Sequence, residues 1–243
     1  MIRSACKRTL SCVTISLLAT IFVAGIASAD RSEEDQARDV QRKPQEVLAF
    51  LGVESGDTVL DVWAASGWYT EVLSVAVGSD GHVISQNPPQ VLQFRDGAND
   101  KALTARIADG RLANVERHDG ALVDSSFEAG SVDFVMTALN FHDMYNQQGP
   151  DSALAILKTI HVALKPGGVL GLIDHVGSAD ADNNSIHRID PALARKTALD
   201  AGFVLEAESD LLANVEDDHS KMVFDPSLRG NTDRFILRLR KPE

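Results

Sequence analysis

The segment DVWAASGWYTEVL, residues 61–73, restricts the possible folds of this chain more than any other stretch. The apolar run Thr58, Val59, Leu60 ends on Asp61 and Val62 and reads as a buried strand. A short loop then closes at Gly67, and Tyr69, Val72, Leu73 and Ala76 follow at helical spacing. A buried strand that breaks through a tight loop straight into a helix belongs to an open α/β sheet, and the junction is where such sheets hold a nucleotide-like ligand. Only one glycine stands in the loop. Ala64, Ala65 and Ser66 fill positions where glycine would give room and a positive φ.

Residues 1–29 contain no acid, carry Arg3, Lys7 and Arg8, continue in an apolar run from Leu10 to Ile26 and end in Ala27-Ser28-Ala29. That order predicts a secretory signal cleaved near Asp30, and hence a periplasmic or secreted protein with no stable membrane insertion after cleavage. The alternative is an uncleaved anchor, since the run approaches the roughly 18 residues that span a bilayer. Both cysteines, Cys6 and Cys12, lie in this segment, so the mature chain offers no disulfide, thiolate or Cys-based metal site. Residues 30–243 suffice for one α/β domain and are short for two. The net charge of −12, more acidic still without the leader's basic residues, excludes a nucleic-acid partner, which requires clustered Lys and Arg.

The rest alternates between helix and strand. Asp30–Gln41 is polar and reads as loose, and Pro44 opens a helix through Leu51 that ends at Gly52. Strands are expected at 58–62, 82–85, 114–118, 131–138 and 169–174. Helices are expected at 68–77, at 91–108 around a weak point at Gly97, at 152–164 and at 190–201. Lys165-Pro166-Gly167-Gly168 reads as a helix stop with Gly167 in a left-handed cap. Residues 203–209 and 234–239 read as a closing antiparallel pair.

This series resembles the class I S-adenosylmethionine-dependent methyltransferases, and within them a secreted subgroup. The resemblance rests on Asp61, Trp63 and the WYTE at 68–71, with Ala64, Ala65 and Ser66 where the subgroup has Pro-Gly-Gly. It extends through SVDFVMTALNFHD (131–143), LKPGGVLGLIDH (164–175), HRID (187–190) and the terminal segment 216–242, covering about residues 42–242. It implies a doubly wound, mostly parallel, Rossmann-related sheet closed by an antiparallel strand pair, S-adenosylmethionine as cofactor and a small-molecule substrate.

On that resemblance, Asp61 receives the cofactor's ammonium, the loop Ala65-Ser66-Gly67 approaches its methionine part, and the Ser66 hydroxyl can bond its carboxylate. Gln86 and Asn87 stand where a carboxylate would take the ribose, and Asn87 is the replacement for that acid. Asp119 either reaches the adenine amino group or is a turn residue before Gly120. Asn140, His142 and Asp143 at the exit of the fourth strand, with Asp174 and His175 at the fifth, lie on the carboxyl edge where ligands bind. His142 and Asp143 are the catalytic candidates, His142 as a base because imidazole titrates near neutral pH. His187 and Arg188 are placed to cover the site.

Two other chemistries are disfavoured. Asp180, Asp182 and Asn184 imitate a calcium loop, but Ser185 and Pro191 occupy its glycine and glutamate positions. Among His118, His142, His175, His187 and His219 no pair has the i, i+4 helix spacing of a ligand pair, so no metal is expected. A dinucleotide fingerprint is absent. The expected activity is methyl transfer to a small molecule; the competing reading is a non-catalytic periplasmic binding protein on a degenerate methyltransferase fold.

Overall fold

In the computed structural model residues 31–243 are described; the expected signal segment lies outside them. The elements in chain order are α1 (Glu33–Arg42), α2 (Pro44–Leu51), β1 (Thr58–Val62), α3 (Trp68–Val77), β2 (His82–Asn87), α4 (Pro89–Leu92), α5 (Phe94–Ile107) and β3 (Val115–Asp119). There follow β4 (Val132–Ala138), α6 (Phe141–Asn146), α7 (Pro150–Ala163), β5 (Leu164–His175), α8 (Pro191–Asp200), β6 (Val204–Ser209) and β7 (Arg234–Arg240). The seven strands form one sheet in the order β3-β2-β1-β4-β5-β7-β6. The first five are parallel, and β7 runs antiparallel to both β5 and β6. This is the doubly wound, mostly parallel sheet with a closing antiparallel pair that the sequence leads one to expect.

Alternate strand residues feed two cores. Val59, Phe134 and Met136 pack with Val47, Leu51, Val72 and Leu73 of α2 and α3 on one face. Leu60, Val135 and Leu172 pack with Phe141, Leu157, Ile160 and Ala198 of α6, α7 and α8 on the other. Covering both faces is what makes these strands continuous apolar runs. The chain reverses its direction of progress across the sheet between β1 and β4, so their carboxyl ends open a crevice there. Among the described residues no helix is long and apolar enough to cross a membrane.

Two local expectations are corrected, and one further helix is found. The segment expected to be loose is α1, whose amino end is capped by the Ser32 hydroxyl accepting from the Asp35 N–H, with Glu33, Glu34 and Asp35 in the first turn against the helix dipole. The helix before β5 stops at Ala163, and Gly167 (φ +75°) sits within β5 at a register shift, not at a helix cap. A helix, α6, follows β4 directly and carries His142 and Asp143. The weak point around Gly97 is present as left-handed backbone at Arg95, Asp96 and Gly97 within α5.

Candidate functional site

The crevice holds a cleft of about 580 Å³, floored by Asp61, Ala65 and Ser66 and walled by Trp63, Asn140 and His142. Arg38 and Arg42 of α1 and Phe224 close over it. Three of the residues that turn the chain around it, Trp63 (φ +54°), Ala65 (φ +52°) and Leu139 (φ +61°), have left-handed backbone that costs a non-glycine residue about 1–2 kcal/mol. Backbone strain of this kind collects at ligand sites, where the surroundings over-determine it.

Those surroundings are polar. The Trp63 N–H donates to Gln86 Oε1 at 3.3 Å, the Ala64 N–H to the Gln86 carbonyl at 3.0 Å and the Ala65 N–H to Asn87 Oδ1 at 2.7 Å. Gln86 Nε2 donates to the Gly120 carbonyl at 2.7 Å, and Asn140 Nδ2 to the Trp63 carbonyl at 2.9 Å. Asn87 stands at the end of β2, as the resemblance implies, but its side chain is turned away from the cleft. It is fully buried, does not line the cleft, and spends its amide on holding the strained loop. Asp119 is also outside the cleft, paired at 2.7 Å with Arg117, which reaches Asp100 as well. Gly67 (φ +80°) serves packing: a Cβ there would lie 2.7 Å from Leu103 of α5. Beside the loop lies a smaller apolar slot of about 210 Å³ between Trp63, Pro88, Gln90, Ala121 and Leu122.

Asn87→Asp is consequently expected to destabilise the protein by about 1–3 kcal/mol instead of supplying a ribose acceptor, because a buried carboxylate keeps the Ala65 N–H but faces the Ala65 carbonyl unpaired. A thermal shift measurement checks this. A variant as stable as the wild type would show the position to be wet.

Asp61 is 2% exposed, and its Oδ2 accepts the Thr70 hydroxyl at 2.7 Å. Burial pushes its pKa up to about 7 in spite of the hydrogen bonds from Thr70. No cation pairs with it among the described residues, so it is a carboxyl poised to ionise when a positive group arrives. The nearby ion network is structural: Glu71, almost fully buried, is bonded by Arg106 and by Arg111 (2.5 Å), and Arg106 also reaches Asp35 (2.8 Å), tying α1 to α3.

Opposite Asp61, α6 and β5 bring His142 and Asp174 together. The His142 N–H donates to Asp174 Oδ2 and its Nδ1 lies against Asp174 Oδ1, both at 2.7 Å; the His175 N–H also donates to Oδ1 at 2.7 Å. Burial works against both charges, but the pair outweighs it: Asp174 is held below the usual carboxylate range and His142 is raised above the ordinary imidazole value, chiefly by Asp174 and then by Asp143. His175 is pushed down to about 3, mainly by burial, and stays neutral beside Thr232. His187, from the loop after β5, has its Nδ1 3.3 Å from Asp143 Oδ1 and its ring edge-on to His142. Arg188 next to it points away from the cleft and is fully buried.

Of the residues singled out in the sequence, Asp61, Ala65, Ser66, Asn140, His142 and Asp143 share the cleft, joined by His175 and His187. His118 lies apart with Ser125, and His219 with Asp233. Asp182 accepts the Ser185 N–H in an exposed turn. Arg38, Arg42 and Phe224 were not legible as cleft residues, because α1 and the loop before β7 reach the site only through tertiary packing.

Sheet order, crevice and closing strand pair define the fold of the class I S-adenosylmethionine-dependent methyltransferases. Comparison with known proteins agrees. A solved S-adenosylmethionine-dependent methyltransferase from Aquifex aeolicus superposes with a TM-score of 0.62 at 20% identity, over 88% of this chain and 96% of that one. The [4+2]-cyclase SpnF superposes with a TM-score of 0.60 at 16% identity, over 83% and 80%. In sequence, the demethylmenaquinone methyltransferase of Listeria monocytogenes serotype 4a is 26% identical over 130 residues, 54% of this chain and 49% of that protein. The chain thus spans about half the length of the curated relatives it matches, and no protein-family model matches it.

Proposed function

We propose that this protein is an S-adenosylmethionine-dependent methyltransferase acting on a small molecule with an ionisable group. The observation that carries the reading is Asp61: a buried carboxyl with no cation partner among the described residues, on the floor of the crevice beneath a strained loop, where the cofactor's ammonium would sit. The cofactor supplies an electrophilic methyl group. The chain's part is positioning and desolvation, which carry much of a direct displacement. In this reading Ser66 meets the carboxylate, Trp63 and the slot beside Ala121 and Leu122 take the adenosine, and the acceptor lies toward Asn140 and His142. There the His142–Asp174 pair is placed to draw off the acceptor's proton. The relatives' name supports an acceptor of the demethylmenaquinone type, a ring compound that Leu139 and Phe224 would flank. The likeness to the secreted subgroup and the composition of residues 1–29 support a site of action outside the cytoplasm, which the mass of the exported protein tests.

One observation favours a second reading, a binding protein without transferase activity: the amide that replaces the ribose acid is committed to the loop. Incubation with methyl-labelled cofactor and a quinol panel separates the two. Transfer of label supports the enzyme. Saturable binding of S-adenosylhomocysteine without transfer to any acceptor favours the binder.

A further inference from the structure

Three ligand atoms from two elements converge at the acceptor end of the cleft. His142 Nε2 and His187 Nδ1 each lie 3.3 Å from the same oxygen, Asp143 Oδ1, and one atom from each of the three residues falls within 4.8 Å of the others. Ligands about 2.0–2.1 Å from a tetrahedral ion are separated by about 3.3–3.4 Å, so the spacing at Asp143 is already that of a coordination edge. We propose that His142, Asp143 and His187 form a binding site for one divalent transition ion of the zinc type, with its fourth position open to the cleft.

The shell behind the site is what such a site requires. Asp174 takes the Nδ1 side of His142, which leaves Nε2 on the side of Asp143 and sets up a carboxylate–histidine–ion line. Asp143 Oδ1 accepts a bond at 2.5 Å from Gln147 Nε2, fixing the carboxylate's rotamer. His187 is held in left-handed backbone (φ +56°), and Arg188 locks its loop through the Val176 and Lys221 carbonyls and Asp217. Two imidazoles with one carboxylate suit Zn²⁺, Co²⁺ or Ni²⁺ better than Mg²⁺ or Ca²⁺, which prefer all-oxygen sets. The i, i+4 criterion misses this arrangement because one histidine comes from α6 and the other from the loop after β5.

Three protein ligands and an open position are the pattern of catalytic zinc sites. An acceptor hydroxyl in that position is acidified by the ion, so the ion takes over the role of His142 and the proton passes to water. That role rests on the methyl-transfer reading, whereas the site itself does not.

The test uses the tag-free protein, stripped with chelator and free of cofactor and acceptor, titrated with Zn²⁺ against a chromophoric chelator and with Co²⁺ by visible absorption. One Zn²⁺ per chain and a tetrahedral Co²⁺ spectrum are expected. His187→Asn, which tolerates the left-handed backbone, should weaken Zn²⁺ by about 100-fold or more without changing the melting temperature of the metal-free protein. Asp174→Asn should weaken it by about 10–100-fold. Sub-stoichiometric uptake, or His187→Asn binding as tightly as the wild type, overturns the site. Bound Zn²⁺ without methyl transfer defeats the enzyme reading alone. Methyl transfer undiminished in the stripped protein defeats the ion's chemical role alone.

Discussion

Replacing Arg188 by leucine is expected to lower the free energy of unfolding by about 3–5 kcal/mol, since it strands a buried charge. The guanidinium is fully buried and donates to the Val176 carbonyl at 2.8 Å, the Lys221 carbonyl at 3.0 Å and Asp217 Oδ1 at 3.0 Å. Asp217 is itself buried and keeps its low pKa, against burial, through backbone N–H bonds from Asp233 and His219 together with Arg188. For a chain of this length the loss corresponds to a fall of roughly 6–20 °C in melting temperature. His187 should lose its position with the loop, so Zn²⁺ affinity should fall too. Adding Asp217→Asn to the variant should recover part of the stability by removing the stranded charge. A fall of under about 3 °C for Arg188→Leu would mean that water replaces the guanidinium and that the loop is not anchored as described.

Asp61→Asn is expected to move stability and ligand binding in opposite directions. Burial raises the folded-state pKa of Asp61 to about 7, well above the ordinary carboxylate range. Such a group contributes stability that is fully present below the unfolded value and lost as the pH climbs through the folded value. The loss over that window is on the order of 4 kcal/mol. Asparagine keeps an acceptor for the Thr70 hydroxyl and has no charge to desolvate. Above neutrality the variant should therefore melt several degrees higher than the wild type, and in acid the two should converge. Binding of S-adenosylhomocysteine should weaken at least about tenfold, because a charge-assisted bond to the ammonium is worth roughly 1.5–3 kcal/mol. Denaturant titrations across the pH range check the first part. A stability difference between Asp61→Asn and the wild type that stays constant from acid to neutral pH would show that Asp61 is solvated.

The sheet was legible because its strands are buried on both faces and written as apolar runs, and because Gly52, Gly78 and Gly202 mark helix ends where their left-handed or otherwise positive φ is required. The crevice was legible for the same reason: a strand ending on Asp61 and one ending before Asn140 must lie side by side at the switch in strand order. Helix α1 was not. Its composition is polar, and what holds it is non-local: Trp68 Nε1 donates to the Asp35 carbonyl at 3.2 Å, and the Arg42 guanidinium lies 4.6 Å from the Trp68 ring centroid. Asn87 illustrates a different limit. Its place at the end of β2 was readable, but whether an amide there faces a ligand or the loop depends on Ala65, whose left-handed backbone turns its N–H toward Asn87. His187 and Asp143 likewise share no local pattern; their meeting depends on the Arg188 anchor.

Calorimetric titration of the protein with S-adenosylhomocysteine, slightly below neutral pH in two buffers of different ionisation enthalpy, tests most directly whether this crevice is a cofactor site. Saturable binding is predicted, with a heat that depends on the buffer because the ligand's ammonium ionises Asp61 and releases its proton. In Asp61→Asn the binding should be weaker and that dependence should vanish. No saturable heat, or equal affinity and equal buffer dependence in both proteins, would contradict the assignment of Asp61 and with it the methyltransferase reading.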